Sequence, residues 1–367
     1  MKKICMIVPG FDARGGIASV VKGYRGSELE KKYHIRYIET YCDGGKAAKL
    51  WKALGAYLRF VGVLITFRPD LIHVHSSFGA SFYRKLPFLW AGSLLRIPVV
   101  NHIHGADWEN FYNNSSEHSK KLKKKAFKRC DKVIALSDTW RNHLSTITDL
   151  KKIEVIHNYG IDRFPETYEK DGMNQILFLG FLCDRKGCFL IPEIVSIVKA
   201  AVGDVKFVLA GSGVDEDLHR LKMLIDKFDV YENIVLPGWI KEKQKESYLK
   251  QASIFFLPSY AEGMPMSILE AMGAGLPIVS TNVGGIPQLV QQGENGILCE
   301  PGDVRAFADA LIRLLQNARL REKMGMRSLD IVQAGFSLKA HTDGIERVYE
   351  EILSPESNKG ANRHAPI

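Results

Sequence analysis

Short apolar runs rich in β-branched residues alternate with helical patterns along the whole chain. They predict two successive sets of strands: Ile4–Val8, Leu71–His75, Val99–His102, Lys132–Ala135 and Val155–His157, then Gln175–Leu179, Lys206–Ala210, Ile234–Leu236, Ile254–Leu257 and Pro277–Ser280. Fully apolar strands separated by helices are typical of parallel sheets covered on both faces. The predicted fold class is therefore α/β, with two doubly wound, Rossmann-like parallel-sheet domains that bind ligand between them at the carboxyl ends of the strands.

The pattern restarts near Gln175, after the turn-rich stretch 158–172. A chain of 367 residues also exceeds what a single hydrophobic core usually supports. We predict one domain over residues 1–165, a second over 166–340, and a C-terminal segment over 341–367. That segment should start with a helix that packs back toward the first domain and end in a polar tail from Ser354.

Two segments of the first domain allow more than one interpretation. Lys49–Ile65 predicts a helix with Leu50, Leu54, Tyr57, Leu58, Val61, Leu64 and Ile65 on one face. That face fits a core helix, and equally a helix lying on a membrane. Lys120–Arg129 holds seven basic residues in ten positions, which fits either a solvated helix surface or attraction to anionic lipid. Nucleic acid is disfavoured, because no stacking aromatics are interleaved and no DNA-binding signature is present.

Charge is distributed unevenly along the chain. Residues 1–165 contain 28 Lys and Arg against 14 Asp and Glu, a balance of +14, whereas residues 166–367 carry −5, giving the total of +9. A basic first half indicates an anionic partner or surface.

The six cysteines are scattered without a C-x-x-C pair, which argues against a zinc or disulfide framework and favours a reducing cytosol. The first apolar run, Ile4–Val8, is too short for the core of a signal peptide, and no run reaches the roughly 18 apolar residues of a spanning helix. We therefore expect a cytoplasmic protein.

Two carboxylates, Glu262 and Glu270, stand eight positions apart around Gly263 and Pro265. Because proline fits the first turn of a helix and not its interior, we predict a loop carrying Glu262 and a helix that begins near Pro265, with Glu270 about one turn inside it. The free N–H groups of the loop and helix start could face an anion or sugar hydroxyls. A simple helix-dipole acid and a solvated glutamate remain the alternative.

Several other strand ends carry polar or glycine-rich sequences. Gly15-Gly16 follows the first strand, Arg185-Lys186 follows the first strand of the second set, and Gly211 opens another strand-end loop. Glycine amides and basic side chains can both approach phosphate, although each motif is also compatible with plain turns and surface charge. The G-x-G-x-x-G spacing of dinucleotide sites is absent.

Histidines end two strands of the first domain. His102 and His104 point the same way from one strand, and His73 and His75 end another. A histidine at a strand end is well placed to meet a ligand, and one of His102 and His104 is expected to be structural. Metal binding is disfavoured, because neither pair has a carboxylate at ligand-like spacing.

Taken together, these features resemble the retaining glycosyltransferases of family 4 (the group 1 glycosyltransferases), which have the two-domain GT-B fold, and the bacterial surface-polysaccharide enzymes among them. The resemblance rests on Gly15-Gly16, His104-Gly105, Asn158, Gly180, Lys186-Gly187, Gly211-Ser212-Gly213, Glu262 and Glu270 with Gly263, Pro265 and Leu269, and Gly284-Gly285. It runs over nearly the whole chain and is most specific in the second half. It implies that residues 1–165 bind the acceptor and residues 166–340 the nucleotide sugar.

The resemblance also implies roles for individual residues. Glu262 would contact the donor sugar and His104 would lie near the reacting groups, which makes these two the catalytic candidates. Glu270 would bind the ribose and Lys186 the diphosphate. The full donor-binding set is Gly16, Arg185, Lys186, Gly211, Gly263, Met264, Pro265, Ser267 and Glu270. Phe181 departs from the family, which often has arginine there; Arg185 is the residue that could replace that charge.

The implied activity is transfer of a hexose-type sugar from a nucleoside-diphosphate sugar to a lipid-linked saccharide, with retention, at the inner face of the cytoplasmic membrane. No cofactor or metal is expected, because positive side chains and helix N-termini stabilise the departing diphosphate. Two alternatives stay open at this stage. One is a nucleotide-sugar 2-epimerase, and the other is a non-catalytic subunit that binds nucleotide sugar.

Overall fold

The computed structural model describes residues 1–160 and 174–354. Within these ranges the chain forms two compact units, one made of Met1–Asn158 with the residues from Leu338 onward, the other of Tyr159–Ser337. Each unit is built on a six-stranded parallel sheet. The predicted fold class, two doubly wound Rossmann-like domains, is confirmed. The predicted boundary at 165/166 lies outside the described residues.

The first unit has the strand order β2-β1-β3-β4-β5-β6. Its strands are β1 Lys3–Val8, β2 His34–Glu39, β3 Leu71–Ser76, β4 Val99–Ile103, β5 Lys132–Ala135 and β6 Ile153–Val155. Its helices are α1 Gly16–Lys22, α2 Glu28–Lys32, α3 Lys46–Thr66, α4 Ala80–Leu94, α5 Glu117–Lys128 and α6 Asp138–Ser145, together with the C-terminal helix Leu338–Leu353. Short π and 3₁₀ turns occupy Glu109–Asn113 and Leu150–Lys152.

One face of this first sheet is a continuous apolar core. Ile72 and Val74 of β3 pack with Phe82 and Leu86 of α4 and with Phe60 of α3. Side chains alternate between the two faces of a strand, so His73 and His75 project from the opposite face. The C-terminal helix lies there, because its Tyr349 contacts the ring of His73.

The second unit has the strand order β12-β11-β10-β7-β8-β9. Its strands are β7 Gln175–Leu179, β8 Lys206–Ala210, β9 Ile234–Gly238, β10 Ile254–Leu257, β11 Ile278–Thr281 and β12 Gly296–Cys299. Its helices are α7 Ile191–Val202, α8 Asp215–Lys227, α9 Glu242–Gln251, α10 Met266–Gly273, α11 Ile286–Leu289, α12 Val304–Leu315 and α13 Ala318–Gly335, with 3₁₀ turns at Asp184–Lys186 and Cys188–Leu190. The C-terminal helix is α14.

Three strand predictions differ from the structure. The predicted strand Val155–His157 is wrong in its bounds, since β6 covers Ile153–Val155 and ends before His157. The strands β2 and β12 were not predicted at all. In β2 exposed and partly buried positions alternate, so it lacks the continuous apolar run that marked the others. The strand β12 starts with a glycine and its two central residues are only partly buried, so it lacks the fully buried apolar run of the other four-residue strands.

Polar contacts join α14 to the rest of the first unit. His341 Nε2 lies 2.8 Å from Tyr24 Oη, and Lys32 Nζ donates to Glu346 Oε2 at 2.6 Å. These contacts span more than 300 residues of sequence. They hold α14 against the first unit, toward which the C-terminal helix was expected to pack.

The helix α3 buries a different side from the one expected of a core helix. Ala53, Ala56 and Phe60 face the core. The predicted apolar face lies largely in solvent, with Leu50, Leu54, Leu58, Val61 and Ile65 between 42% and 76% exposed. The core-helix interpretation is therefore wrong for most of that face, of which only Tyr57 and Leu64 pack against the core. Small alanines let the helix approach the sheet closely, and the larger aliphatic residues stay outside.

The basic segment Lys120–Arg129 belongs mostly to α5, and one of its lysines points inward. Lys123 is 2% exposed; its ammonium donates to the carbonyl of Phe111 and to Ser115 Oγ. The interpretation of a fully solvated or lipid-facing basic run is wrong at this position. The basic side chains of this segment that remain exposed on α5 are Lys121, Lys124, Lys125 and Lys128. No helix among the described residues combines the length and apolarity needed to cross a bilayer.

Candidate active site

The strand order of the second unit reverses beside β7. The chain runs from β7 outward to β8 and β9, and then crosses to the other side of β7 for β10, β11 and β12. In doubly wound sheets ligands bind at such a reversal, outside the carboxyl ends of the strands. Lys186 follows β7 and Glu262 follows β10, so two predicted site residues lie at this position.

Glu262 is a buried carboxylate held by several donors. Its side chain is 6% exposed, and Oε1 accepts hydrogen bonds from Lys186 Nζ at 2.5 Å and Ser259 Oγ at 2.7 Å. Arg185 Nη1 lies 4.0 Å from Oε2 and donates to the carbonyl of Ala261 at 2.8 Å. Pairing of this kind is what makes a buried charge tolerable. The structure thus brings together Glu262, Arg185 and Lys186, and adds Ser259, which no sequence pattern indicated.

Glycines fix the loop that carries Glu262. At Gly284, whose φ is +58°, an added Cβ would lie 1.8 Å from the carbonyl oxygen of Glu262. At Gly187, whose φ is +70°, it would lie 2.0 Å from the carbonyl oxygen of Pro258. A larger residue at either position would push the loop away. These two glycines therefore set where the carboxylate stands.

The predicted loop-to-helix transition after Glu262 is confirmed. Pro265 is the N-cap residue of α10, which begins at Met266, and Glu270 lies in the second turn. Met264 is 3% exposed, the carbonyl of Gly263 accepts from Gly285 N at 2.7 Å, and Ser267 is partly buried. The first N–H groups of a helix lack partners within it, so the start of α10 can donate to an anion or to hydroxyls.

Glu270 is paired with a residue that the sequence did not indicate. Its carboxylate accepts from Lys245 Nζ at 2.7 Å, and the two side chains are 11% and 15% exposed. Burial raises the pKa of Glu270 against the opposing attraction of Lys245. Burial also lowers the pKa of Lys245, but its ion pairs with Glu270 and Glu242 outweigh that effect and raise it. Lys245 lies on α9, 25 residues away, and no local spacing links it to Glu270.

The loop after β7 carries Phe181, which stands where the resembled family often has arginine, and Arg185, which could replace that charge. Phe181 is 42% exposed, and Arg185 reaches the loop of Glu262 through the carbonyl of Ala261. Gly211 follows β8 and packs against the same loop, since an added Cβ would lie 1.7 Å from the carbonyl oxygen of Gly180. Close backbone approach thus explains Gly211 without invoking a ligand.

His104 and Gly16 belong to the first unit. Its strand order reverses beside β1, and Gly16 is the first residue of α1, which follows that strand. His104 follows β4; its backbone N–H donates to the carbonyl of Ser76 at 2.8 Å, and its Nε2 lies 3.0 Å from Nδ1 of His75. The roles implied for both residues stay predictions.

The histidines of the first unit form a stacked cluster. His73 and His75 have ring centroids 4.4 Å apart, and those of His102 and His104 are 4.3 Å apart. His341 of α14 stacks on His102 at 5.9 Å, an addition that sequence reasoning missed. Burial lowers the pKa of His73 and His104 to about 3 and that of His341 to about 4, and it lowers the pKa of His75 and His102 well below the usual value.

These shifts predict that acid destabilises the first unit. Unfolded histidines take up protons below about pH 6.5 whereas His73, His104 and His341 stay neutral in the folded state, so stability falls as the pH falls. Between pH 7.5 and 5.5 we expect each of these three histidines to lower the free energy of unfolding by about 1 kcal/mol. Urea unfolding in EDTA, followed by tryptophan fluorescence, measures this, since four of the five tryptophans lie in the first unit. Equal unfolding free energies at the two pH values would contradict the prediction.

Known families match both parts of the chain. Residues 161–329 match the family model described as "Glycosyl transferases group 1", and residues 8–162 match that of "Glycosyltransferase Family 4". The amylovoran biosynthesis glycosyltransferase AmsK of Erwinia amylovora is 31% identical over 68% of this chain and 62% of its own length. The 2-deoxystreptamine N-acetyl-D-glucosaminyltransferase of Niallia circulans is 27% identical over 80% of this chain and 78% of its own.

Among solved structures, Anabaena HepE in complex with UDP and glucose superposes with a TM-score of 0.75. It shares 17% sequence identity, and the match covers 96% of this chain and 100% of HepE. At this level of identity the likeness shows the fold.

Proposed function

The chain belongs to the group 1 glycosyltransferases of family 4, with the GT-B fold, and we propose that it transfers a hexose-type sugar from a nucleoside-diphosphate sugar to a saccharide acceptor. The observation that carries the proposal is the grouping of the buried Glu262 with the partly buried Lys186 and the exposed Arg185 at the strand reversal of the second unit. It combines a carboxylate for the sugar with two cations for the leaving group.

This arrangement suits the negative charge that develops during the proposed reaction. Breaking the bond from the anomeric carbon to the diphosphate places negative charge on the leaving phosphate. Lys186 and Arg185 supply positive charge for it, and the start of α10 supplies N–H dipoles. Donors fixed before the reaction need no reorganisation during it. With these cations in place we expect no metal at the donor site, and we propose that Arg185 supplies the charge missing at Phe181.

The second carboxylate suits the nucleoside. Glu270 lies in the second turn of α10, which follows the loop of Glu262, and can accept hydrogen bonds from the two ribose hydroxyls. Lys245 holds one of its oxygens at 2.7 Å. Because the structure of HepE contains UDP, UDP-sugars are the first donors to test.

We propose retention of the anomeric configuration by same-face attack of the acceptor, assisted by the leaving phosphate. The carboxylate of Glu262 is occupied by Lys186 and Ser259, which favours a sugar-positioning role over that of a covalent nucleophile. His104 is the proposed residue beside the acceptor. For the acceptor itself we propose a lipid-linked saccharide in surface polysaccharide assembly, in keeping with the amylovoran relative.

A donor screen tests the proposed function. Purified protein is heated with UDP, GDP, ADP, CMP and their common sugar conjugates, and a ligand at 100 times its Kd should stabilise the protein by roughly 2.7 kcal/mol. The selected donor is then incubated with and without saccharide acceptors. Acceptor-dependent transfer with retained configuration supports the proposal. Rearrangement of the sugar without acceptor would instead identify an epimerase, and a thermal shift without any turnover would favour a non-catalytic subunit that binds nucleotide sugar. The absence of both a shift and turnover would contradict the proposed function.

We further propose that the first unit binds the cytoplasmic membrane surface. The exposed aliphatic face of α3 supports this, as do the exposed lysines of α5. Both helices pack against α4: Tyr57 of α3 donates to the carbonyl of Arg84 at 2.9 Å, and Tyr83 of α4 bonds to Ser119 of α5 at 2.9 Å. Apolar residues flanked by basic ones are typical of helices that lie in an anionic interface.

Liposome sedimentation tests this proposal. Vesicles with phosphatidylglycerol should bind the protein at low salt and release it at high salt. The double change Leu54→Glu and Leu58→Glu should weaken binding at least tenfold, since it removes two apolar contacts worth about 1.5–3 kcal/mol each when buried. Met223→Glu, at a position 59% exposed in the second unit, is the matched control. Wild-type binding by the double variant, or binding insensitive to salt and lipid charge, would contradict membrane docking by this face.

A further inference from the structure

Three histidines of the first unit bring their ring nitrogens together in the interior of that unit. We propose that His73, His75 and His102 form a binding site for a transition-metal ion such as Zn²⁺. One ring nitrogen from each of the three residues lies within 4.8 Å of the others, and all three side chains are fully buried. The three proposed ligands are not among the residues assigned to sugar transfer, although His104 contacts one of them, His75.

The strand register creates this grouping. His73 and His75 are two positions apart on β3 and therefore project from the same face of the sheet. His75 and His102 are direct partners in the parallel pairing of β3 with β4. Adjacent strands thus place the three rings side by side, which the spacing of the histidines in the sequence does not reveal.

The ring nitrogens of this cluster are short of partners. Nε2 of His73, Nε2 of His75 and both nitrogens of His102 are buried without a hydrogen bond. A buried polar atom without a partner destabilises the folded state, and a group of such atoms usually marks a place where a ligand, an ion or a water binds. A metal ion held by the three rings would satisfy one nitrogen of each.

Two hydrogen bonds prepare the rings for this role. Tyr349 Oη lies 2.6 Å from Nδ1 of His73, and His104 Nε2 lies 3.0 Å from Nδ1 of His75. In metal centres the second nitrogen of a ligating histidine is held by such a partner, which orients the ring and directs the other nitrogen to the metal. In both residues the nitrogen left over is the unpartnered Nε2.

The three histidine ligands determine which metal ions fit the site. Three neutral imidazoles suit Zn²⁺, Ni²⁺ or Cu²⁺ and are poor ligands for Mg²⁺ or Ca²⁺, which prefer oxygen. With metal–nitrogen bonds of about 2.0–2.1 Å, the rings must draw together by roughly 1 Å, and a water can complete four-coordination. The buried Lys85 would not repel the metal ion. It lies on α4, which packs on the face of the sheet opposite to the three histidines. Burial lowers the pKa of Lys85 well below the usual value and so favours its uncharged form.

Direct metal binding by the full-length protein tests the site. Protein stripped with a chelator and dialysed is titrated at pH 7.5 with Co²⁺, read by its visible absorption, and then with Zn²⁺ against a chromophoric chelator. We expect one equivalent of Co²⁺ with the absorption of a four-coordinate nitrogen site, and its displacement by Zn²⁺. Failure of the wild-type protein to bind one equivalent of either ion would overturn the proposal.

Variants locate the ion. His102→Gln should lose at least 100-fold in affinity, and Tyr349→Phe, which keeps the ring but removes the hydroxyl that holds His73, should lose 10–100-fold. His143→Gln, a half-buried histidine elsewhere in the same unit, should bind like the wild type. Circular dichroism checks that each variant is folded. Unchanged affinity in both His102→Gln and Tyr349→Phe, or an equal loss in His143→Gln, would show that the ion binds elsewhere.

Discussion

Replacing Lys186 with methionine is expected to lower the turnover of sugar transfer by about 10²–10³-fold, the range typical of removing one preorganised electrostatic contact. The ammonium lies 2.5 Å from Glu262 Oε1 at the strand reversal, where the diphosphate is proposed to bind. Methionine keeps most of the length and apolar volume of the side chain and removes its charge. Because the charge on the leaving phosphate grows in the transition state, kcat should fall more than the donor KM rises.

Initial rates with the donor selected by the screen measure this effect. Lys243→Met, which removes an exposed lysine of α9 in the same unit, is the control and should leave turnover unchanged. Because loss of one partner of a buried ion pair is often destabilising, the melting temperature of each variant is measured and assays are run well below it. Turnover of Lys186→Met within threefold of the wild type would refute the role assigned to this lysine.

Replacing Glu262 with glutamine is the second large effect, with an expected loss of about 10²–10³-fold in kcat. The amide has almost the same shape, but it carries no charge and presents an NH₂ group where Lys186 or Ser259 now donates. The loop that carries Glu262 should keep its backbone, since Gly284 and Gly187 fix it independently of this side chain. The loss therefore reports on the carboxylate itself.

Glu322→Gln, on the exposed side of α13, is the matched control. The double variant Lys186→Met with Glu262→Gln distinguishes a joint role from two separate ones. If the two groups act as a unit, the double variant should lose little more activity than either single variant. Losses that multiply would show that the two side chains act independently, and near-normal activity of Glu262→Gln would remove it from the site.

Much of the fold could be predicted, because parallel strands buried on both faces leave a clear record in the sequence. Their continuous apolar runs identified β1, β3, β4, β5 and every strand of the second unit except β12. The missed strand β2 is half exposed, so its polar positions interrupted the pattern. The error at β6 arose because Ile156 and His157 continue the apolar run after the strand ends.

The candidate site was predicted only where one short segment contains it. The order Glu262, Pro265, Glu270 indicates a loop followed by a helix, since proline is restricted to the first turn. The partners of these acids could not be found in the same way. Ser259 stands three residues before Glu262 in the same loop, but no motif marks it as a partner. Lys245 meets Glu270 from a separate helix, 25 residues away, and so at no helical spacing.

The sequence by itself determined the class of fold, the two-part organisation and the family, because these depend on apolar periodicity and on motifs held within single loops. Tertiary structure alone decided which groups meet. It paired Glu262 with Lys186 and Glu270 with Lys245, turned Lys123 inward, left the apolar face of α3 in solvent, and stacked His341 of the last helix on the histidines of β3 and β4. The physical reason is that burial and ion pairing depend on distances in space, and a chain that crosses its sheet repeatedly brings distant residues together.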